Sequence, residues 1–341
     1  MKIENDESIF SFLNPLGNDK ISDLKGIDLQ ELINLLDKYY LTLRTKLGLL
    51  NNTTFGLELE FEYALKERLK KEIHNKFEIK GWRVKEDSTL RLGLEINSPV
   101  LDDNEKTWDE LSDVCNILRK YANIGNSSGG HIHVGSQILG ENREYWLNFI
   151  KLWSVYENII FRFLYGEYLN NRPNISFYAS EISNNLWNHY QNFRDYDDEL
   201  EYIISILSIS RYYSVNFSHV NIENCNEYHF DNTIEYRNPN GSLNPVIWQN
   251  NVNFLVKLLY YTTQKNYDND LIEKRHEITT PYYFLKYYNE IFLEQALELC
   301  DMIFTNNLDK IYFLKQYLKS FQTIKNPNTY VKSREITKLY K

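Results

Sequence analysis

The alternation of apolar and polar positions changes period several times along this chain, and each change marks an element,. "GLELEFE" (56–62) alternates at every residue, so Leu57, Leu59 and Phe61 fall on one side of an extended chain and Glu58, Glu60 and Glu62 on the other,. A half-buried strand is predicted whose polar side carries three like charges, which a bound cation would make tolerable. "FEIKGWRV" (77–84), a polar turn "KEDST" (85–89) and "LRLGLEINSP" (90–99) predict a hairpin,. In its second strand Leu90, Leu92, Leu94 and Ile96 share one face, Arg91, Gly93, Glu95 and Asn97 share the other, and Pro99 ends it. "SRYYSVNF" (210–217) and "NTIEYRNP" (232–239) read as two further strands.

Elsewhere the period is helical. A capping box "DLQE" opens at Asp28, and Leu29, Leu32, Ile33, Leu36, Tyr40, Leu43 and Leu47 follow at helical spacing until "NNTT" (51–54) breaks the pattern,. "TWDE" (107–110) is a second capping box, ahead of Leu111, Val114, Cys115, Leu118 and Tyr121,. Trp146, Phe149, Ile150, Trp153, Tyr156, Ile160 and Phe163 form a third helical stripe,. Residues 165–200 are polar and irregular, with "NNRPN" (170–174) as the clearest break,. In "LNPVIW" (243–248) Asn244 is placed to cap a helix and Pro245 to occupy its first position, and 245–330 reads as mostly helical,. Strands separated by helices of varied length, without a βαβ rhythm, predict an α+β fold.

Composition narrows the function classes. The 27 Tyr and 18 Phe supply volume for a large core, and only 13 Gly and 7 Pro argue against long linkers,. A net charge of −9 leaves no basic stripe for nucleic acid,. The one basic cluster, the tail "VKSREITKLYK" (331–341), reads as a solvated end,. Cys115, Cys225 and Cys300 are odd in number with no CxxC, so neither a disulfide framework nor a thiolate zinc site is implied, and Cys115 reads as core,. The start "MKIENDESIFSF" lacks the order of a signal peptide, and no apolar run of about 18 residues exists to span a membrane,. A reducing cytosol is the simplest location.

Three pairs of chemically active residues lie two apart on strand-like sequence: Glu58 and Glu60, His131 and His133, Glu235 and Arg237. Each has a plain reading alone: the wet face of an edge strand, a surface histidine pair or zinc site, a cross-strand ion pair. With Glu95 and Arg211 they describe a polar sheet face. Carboxylates with one or two imidazoles suit Mg²⁺ or Mn²⁺, and guanidinium groups beside them suit phosphate or carboxylate.

"GLELEFE", "EINSP", "NSSGGHIHVGS" and "IEYRNPNGSLNP", in this order, resemble the amidoligase family, within the glutamine-synthetase-like carboxylate–amine ligases. A strand E-x-E, an Asp followed by E-x-x-S-P, a G-x-H-x-H and a late E-x-R recur there, and Asp87, Glu95, Ser98 and Pro99 fill the second motif here. "RYYSVNF" looks like the family's Arg-Tyr…Asn strand, and "SSGGHIH" and "EYRNPNGSLNP" echo loops of glutamine synthetase itself. The resemblance covers about residues 53–260.

What the resemblance implies is a curved antiparallel sheet with flanking helices and an ATP-dependent, ADP-forming ligase that makes an amide through an acyl phosphate. Glu58, Glu60, Glu95, His131 and Glu235 would hold Mg²⁺ or Mn²⁺. His133 would contact phosphate or the acyl intermediate, and Arg211 and Arg237 the transferring phosphoryl or the substrate carboxylate. Asp87 would deprotonate the incoming ammonium or only shape its turn, while Gly129 and Gly130 would let the backbone approach ATP. No P-loop or strand-following G-x-G-x-x-G competes for the nucleotide,. Partners would be a carboxylate and an amine, a peptide or protein among the candidates; an oligomer is compatible with the aromatic-rich tail. Residues 1–52 and 263–341 match no motif and read as helical extensions of a 53–262 catalytic domain within one unit. A zinc hydrolase built on the histidine pair, or a binding module without catalysis on the same scaffold, are the alternatives.

Overall fold

In the structure, a computed structural model that describes residues 13–22, 24, 27, 29–125, 127–165, 175–183, 186, 199–226, 231–278 and 292–318, the strands form one open antiparallel sheet. β1 is Phe55–Phe61, β2 Arg83–Lys85, β3 Leu94–Asn97, β4 Gly130–Gly135, β5 Val215–Asn216 and β6 Thr233–Tyr236. Their order is β2-β3-β1-β4-β6-β5. Helices follow as α1 Leu29–Leu36, α2 Lys66–Phe77, α3 Glu105–Tyr121, α4 Arg143–Tyr165, α5 Ile175–Tyr178, α6 Glu199–Ser208, α7 Pro245–Tyr261, α8 Asn269–Ile278, α9 Phe292–Ile303 and α10 Asn307–Leu318. The basic tail, the "NNRPN" break and Asp28 lie outside the described residues. Among those described, no helix is long and apolar enough to cross a membrane.

Strand alternation decides which face the helices cover. Leu57, Leu59, Ile96, Ile132, Val134, Ile234 and Tyr236 are all buried on one side of the sheet, each aliphatic side chain contributing roughly 1.5–3 kcal/mol of burial. α4 packs there through Trp153, whose ring lies 5.3 Å from that of Tyr236, and α3 through Trp108, stacked 5.3 Å from Phe55. The predicted α4 stripe from Trp146 to Phe163 is buried throughout. The cap of α7 is as read, with Asn244 Oδ1 accepting the Val246 N–H at 3.1 Å and Pro245 in the first turn. All three cysteines are buried and unpaired.

Four readings change. α1 stops at Leu36, whose carbonyl accepts from Lys315 Nζ at 2.9 Å, and the chain further on is held by side-chain acceptors: the Asp103 carboxylate takes the N–H groups of Leu47 and Leu49, and Gln249 that of Arg44. Gly48, at φ +72°, completes the departure from helix,. α3 is capped by Asn104, which accepts the Thr107 N–H at 2.9 Å, so Thr107 lies inside the first turn. The hairpin strands are short, and Leu92 is 67% exposed at φ +52° instead of lying beside Leu90 and Leu94. Backbone bonds from Tyr63 and Ala64 to the carbonyls of Arg91 and Leu92 hold that loop against the end of β1. Within 210–217 only Val215 and Asn216 pair as strand.

The N-terminal residues are bonded to the C-terminal helices: Asp301 accepts the N–H groups of Ile21 and Ser22, and Asn307 donates to Asp19 at 2.6 Å. One contiguous core runs from Ile21 to Leu318.

Candidate functional site

The register of the sheet assembles its uncovered face. Across one row Asn97 opposes Glu58 and Glu58 opposes His131; across the next Lys85 opposes Glu95 and Glu95 opposes Glu60. A third row places Gly56, His133, Glu235 and Asn216 side by side. Residues as far apart in the chain as His133 and Glu235 thus become register partners through antiparallel pairing alone,.

Glu58 is the hub. One carboxylate oxygen lies 2.5 Å from His131 Nδ1; the other accepts from Asn97 Nδ2 at 3.0 Å and lies 3.4 Å from His133 Nε2. Glu235 stands 3.2 Å from His131 Nδ1, accepts from Arg237 at 2.5 Å and from Asn216 at 2.6 Å. Glu60, largely buried, is 3.5 Å from His131 Nε2 and accepts the Gly129 N–H at 2.6 Å. His131 therefore touches three carboxylates at once. Burial pushes its pKa down, but the Glu58 hydrogen bond and the charges of Glu60 and Glu235 outweigh this and raise it, against Arg237,. Burial likewise pushes the Glu58 and Glu235 carboxyls up, yet their imidazole neighbours, with Arg237 at Glu235, hold both below the usual range. Imidazolium and guanidinium thus offset part of the acid repulsion.

At Glu95 the offset from His131 and Lys85 falls short. Burial and the Glu58 charge push its carboxyl up to about 7. A carboxyl whose pKa is higher folded than unfolded stabilises the fold below its unfolded pKa and loses that contribution as pH rises through the folded value. Chelator-treated protein is therefore expected to melt lower at pH 8 than at pH 5.5, with Glu95→Gln flattening that decline; an equal decline in both proteins would remove Glu95 as its source.

The donor chemistry fits divalent cations. Glu58, His133 and Glu235 offer ligand atoms within 4.8 Å of one another, as do Glu60, Asp87 and Glu95. His133 Nε2, close to Glu58 but off hydrogen-bond geometry, is a buried polar atom without a hydrogen-bond partner. Oxygen-rich sets with one imidazole suit Mg²⁺ or Mn²⁺ better than zinc.

Asp87 both shapes its turn, accepting from the Thr89 N–H and hydroxyl at 2.7 Å, and faces Glu60 and Glu95. Arg237 is held by Glu235 and by the Tyr178 carbonyl at 3.3 Å. Arg211 is exposed on the loop before β5; its guanidinium and that of Arg237 both lie over the Tyr212 ring, at 5.1 and 6.0 Å. Gly130 faces the helix side, where a Cβ would meet Trp248 at 2.2 Å, so packing alone demands glycine there. Glu62 is buried away from the cluster: it accepts the Arg91 N–H at 3.0 Å and fills the space beside Gly125. Asn97, on the polar face by alternation, and Tyr212 and Asn216, of the Arg-Tyr…Asn strand, have no role assigned from sequence; here Asn97 donates to Glu58, Asn216 to Glu235, and Tyr212 lies under both guanidinium groups.

No curated protein matches the chain. Among solved structures, a glutamine synthase homologue described as novel aligns at 11% identity and a TM-score of 0.41, over 84% of this chain and 71% of its own. The sequence model of the family described as "Putative amidoligase enzyme" matches residues 55–259, from the first residue of β1 to the last turn of α7. The span includes all six strands and every residue of the acid–imidazole cluster, and the chain belongs to this amidoligase family.

Proposed function

We propose that the chain joins a carboxylate to an amine with cleavage of ATP to ADP and phosphate. Family membership supports a ligase-type function. The observation that carries the reading is the convergence of Glu58, Glu60, Asp87, Glu95 and Glu235 with two imidazoles and Arg237 on one open sheet face.

A carboxylate oxygen of the substrate attacks the γ-phosphorus, the bond to the β-bridging oxygen breaks, and ADP departs with the electron pair. The amine then attacks the acyl carbon, phosphate leaves, and the nitrogen gives up a proton. Between two anions this needs charge neutralisation more than covalent help. Glu58, Glu60, Glu95, His131 and Glu235, with His133 and Asp87 in reach, would hold Mg²⁺ or Mn²⁺. Such ions, when bound, neutralise the triphosphate. Arg237, fixed by Glu235 and Tyr178, stabilises the phosphoryl in transfer; exposed Arg211 meets phosphate or carboxylate at the rim. His133 contacts phosphate or the acyl group, Asp87 takes the ammonium proton, and Gly129, whose N–H orders Glu60, lines the nucleotide's approach. A peptide or protein is the favoured substrate class, since the irregular 165–200 segment and the two ends beyond the family span of 55–259 leave room for its recognition.

The test is an ATP-induced rise in melting temperature that requires Mg²⁺, followed by ADP release with pooled carboxylates and amines and mass spectrometry for products lighter by one water. ATP without effect in the presence of Mg²⁺ ends the ligase reading. Arg237→Ala is expected to lower ADP release by about 10²–10³ while the ATP shift persists; unchanged release would return Arg237 to a structural ion pair with Glu235.

A further inference from the structure

One carboxylate outside the acid–imidazole cluster is buried and, among the described residues, accepts from neutral donors alone. Glu157 lies in α4, one turn on from Trp153. Its Oε1 accepts the Trp153 indole N–H at 3.1 Å, the Ile182 N–H at 2.9 Å and the Ser214 hydroxyl at 2.8 Å, and its Oε2 accepts the Ser183 N–H at 2.8 Å. Burial pushes its pKa up against these bonds,. A carboxylate accepts at both ends, whereas an amide in its place would turn an NH₂ toward one of the donors.

The donors show what the side chain joins. Trp153 belongs to α4 itself. The other three belong to segment 180–183, after α5, and to segment 212–214, before β5, and these two are bonded to each other. The Ser180 N–H donates to the Tyr212 carbonyl and the Ser214 N–H to the Ser180 carbonyl, both at 2.7 Å.

This joint is where Arg237 is held. Its Nε donates to the Tyr178 carbonyl, its backbone N–H donates to the Ser214 carbonyl at 2.9 Å, and its guanidinium lies over the Tyr212 ring. Arg211 lies over the same ring and donates to the Tyr212 hydroxyl at 3.0 Å. Apart from Glu235, the groups that bond to or stack on the Arg237 guanidinium thus come from the chain on either side of the Glu157 contacts. α5 is only four residues long, and its Ile175 packs with Ala179 apart from the main core. Ile182 is buried in that core, but apolar burial is non-directional. The aimed bonds to Glu157 are what orient this stretch of backbone, with the Tyr178 carbonyl at its start.

We infer that Glu157 is a positioning residue: from α4 it clasps segments 180–183 and 212–214 together, and through the Tyr178 carbonyl and the Tyr212 ring it fixes the guanidinium of Arg237. That Arg237 acts on a transferring phosphoryl group rests on the ligase reading; the clasp does not.

Two variants of the full chain test it. Glu157→Gln keeps the side chain's size and loses one acceptor; Ser214→Ala loses one donor and keeps its backbone bonds. In ¹H–¹⁵N NMR, the Arg237 Nε–H and the Ile182 and Ser183 amides of Glu157→Gln are expected to exchange with solvent about tenfold faster or more, with β1 and β4 amides unchanged. Ser214→Ala is expected to shift the same signals less. In ADP release, Glu157→Gln is expected to lower kcat by about 10–10² with the KM for ATP unchanged, and to cost nothing further in an Arg237→Ala background. A residue that only anchors a loop would cost the same in both backgrounds. That result, or unchanged Arg237 Nε–H exchange in the folded variants, would overturn the inference; if Glu157→Gln does not fold, Ser214→Ala decides by the same readouts. Faster Arg237 exchange in the variants of a protein that releases no ADP would leave the clasp standing and remove the ligase reading.

Discussion

Glu58→Gln is expected to lower Mg²⁺-dependent ADP release by about 10²–10³, the loss that follows removal of one electrostatic contact to a developing charge. The substitution keeps the side chain's size and an oxygen for Asn97, but removes the charge that both histidines face. Glu58 holds its proton only well below the usual carboxylate range, so it is ionised at any working pH and its neutral replacement is a full unit of charge lost from the cluster. Glu60 and Glu235 still face His131 in the variant, but the contact to His133 Nε2 at 3.4 Å is Glu58's. Coupled ADP detection, with far-ultraviolet circular dichroism to establish folding, reads the outcome. A variant that is folded and turns over at the unsubstituted rate would dismiss Glu58 from the chemistry.

Asp309→Ala is expected to lower unfolding free energy by about 3–5 kcal/mol, the usual result of breaking a buried pair from one side. Asp309 is 1% exposed in α10 and accepts from Arg44 and Lys257 at 2.6 Å, Asn306 at 2.6 Å and Asn253 at 2.8 Å. Removing it strands two cations in a low-dielectric interior. Burial raises the Asp309 pKa, but Lys257 and Arg44 outweigh this and hold it below the usual value. A depressed carboxyl contributes stability above its unfolded pKa and loses it as pH falls through the folded one. The difference between unsubstituted and variant protein in urea should therefore be full at pH 7 and shrink at acid pH, below the ordinary range for an aspartate. A difference under 1 kcal/mol at pH 7 would show that the neighbouring amides alone hold this junction.

Local rules were legible wherever one short segment decided its own structure. Asn244–Pro245 caps α7 because the cap needs only its own turn, and the Trp146–Phe163 stripe is buried because an amphipathic helix has one place to put it. The charged helix α2, with only Leu69, Ile73 and Phe77 buried, gave too thin a stripe to read. The helical spacing runs past α1 because Leu41, Leu47 and Leu49 are buried without being helical; Lys315 takes the Leu36 carbonyl, and Asp103 and Gln249 hold the chain beyond, all three from distant sequence. Leu92 matched a strand pattern whose pairing does not begin until Leu94.

The sequence by itself determined the residue types and the alternation that puts Glu58 and Glu60, His131 and His133, and Glu235 with Arg237 each on one side of a strand, because that period is a property of the extended backbone. Which strands are neighbours, and in which register, depends on contacts between segments far apart in the chain. Only the tertiary structure could decide that His131 sits among three carboxylates, that Asp87 joins Glu60 and Glu95, that Glu62 turns to the Arg91 N–H on the loop before β3, and that Gly56 stands beside His133 over an open cavity.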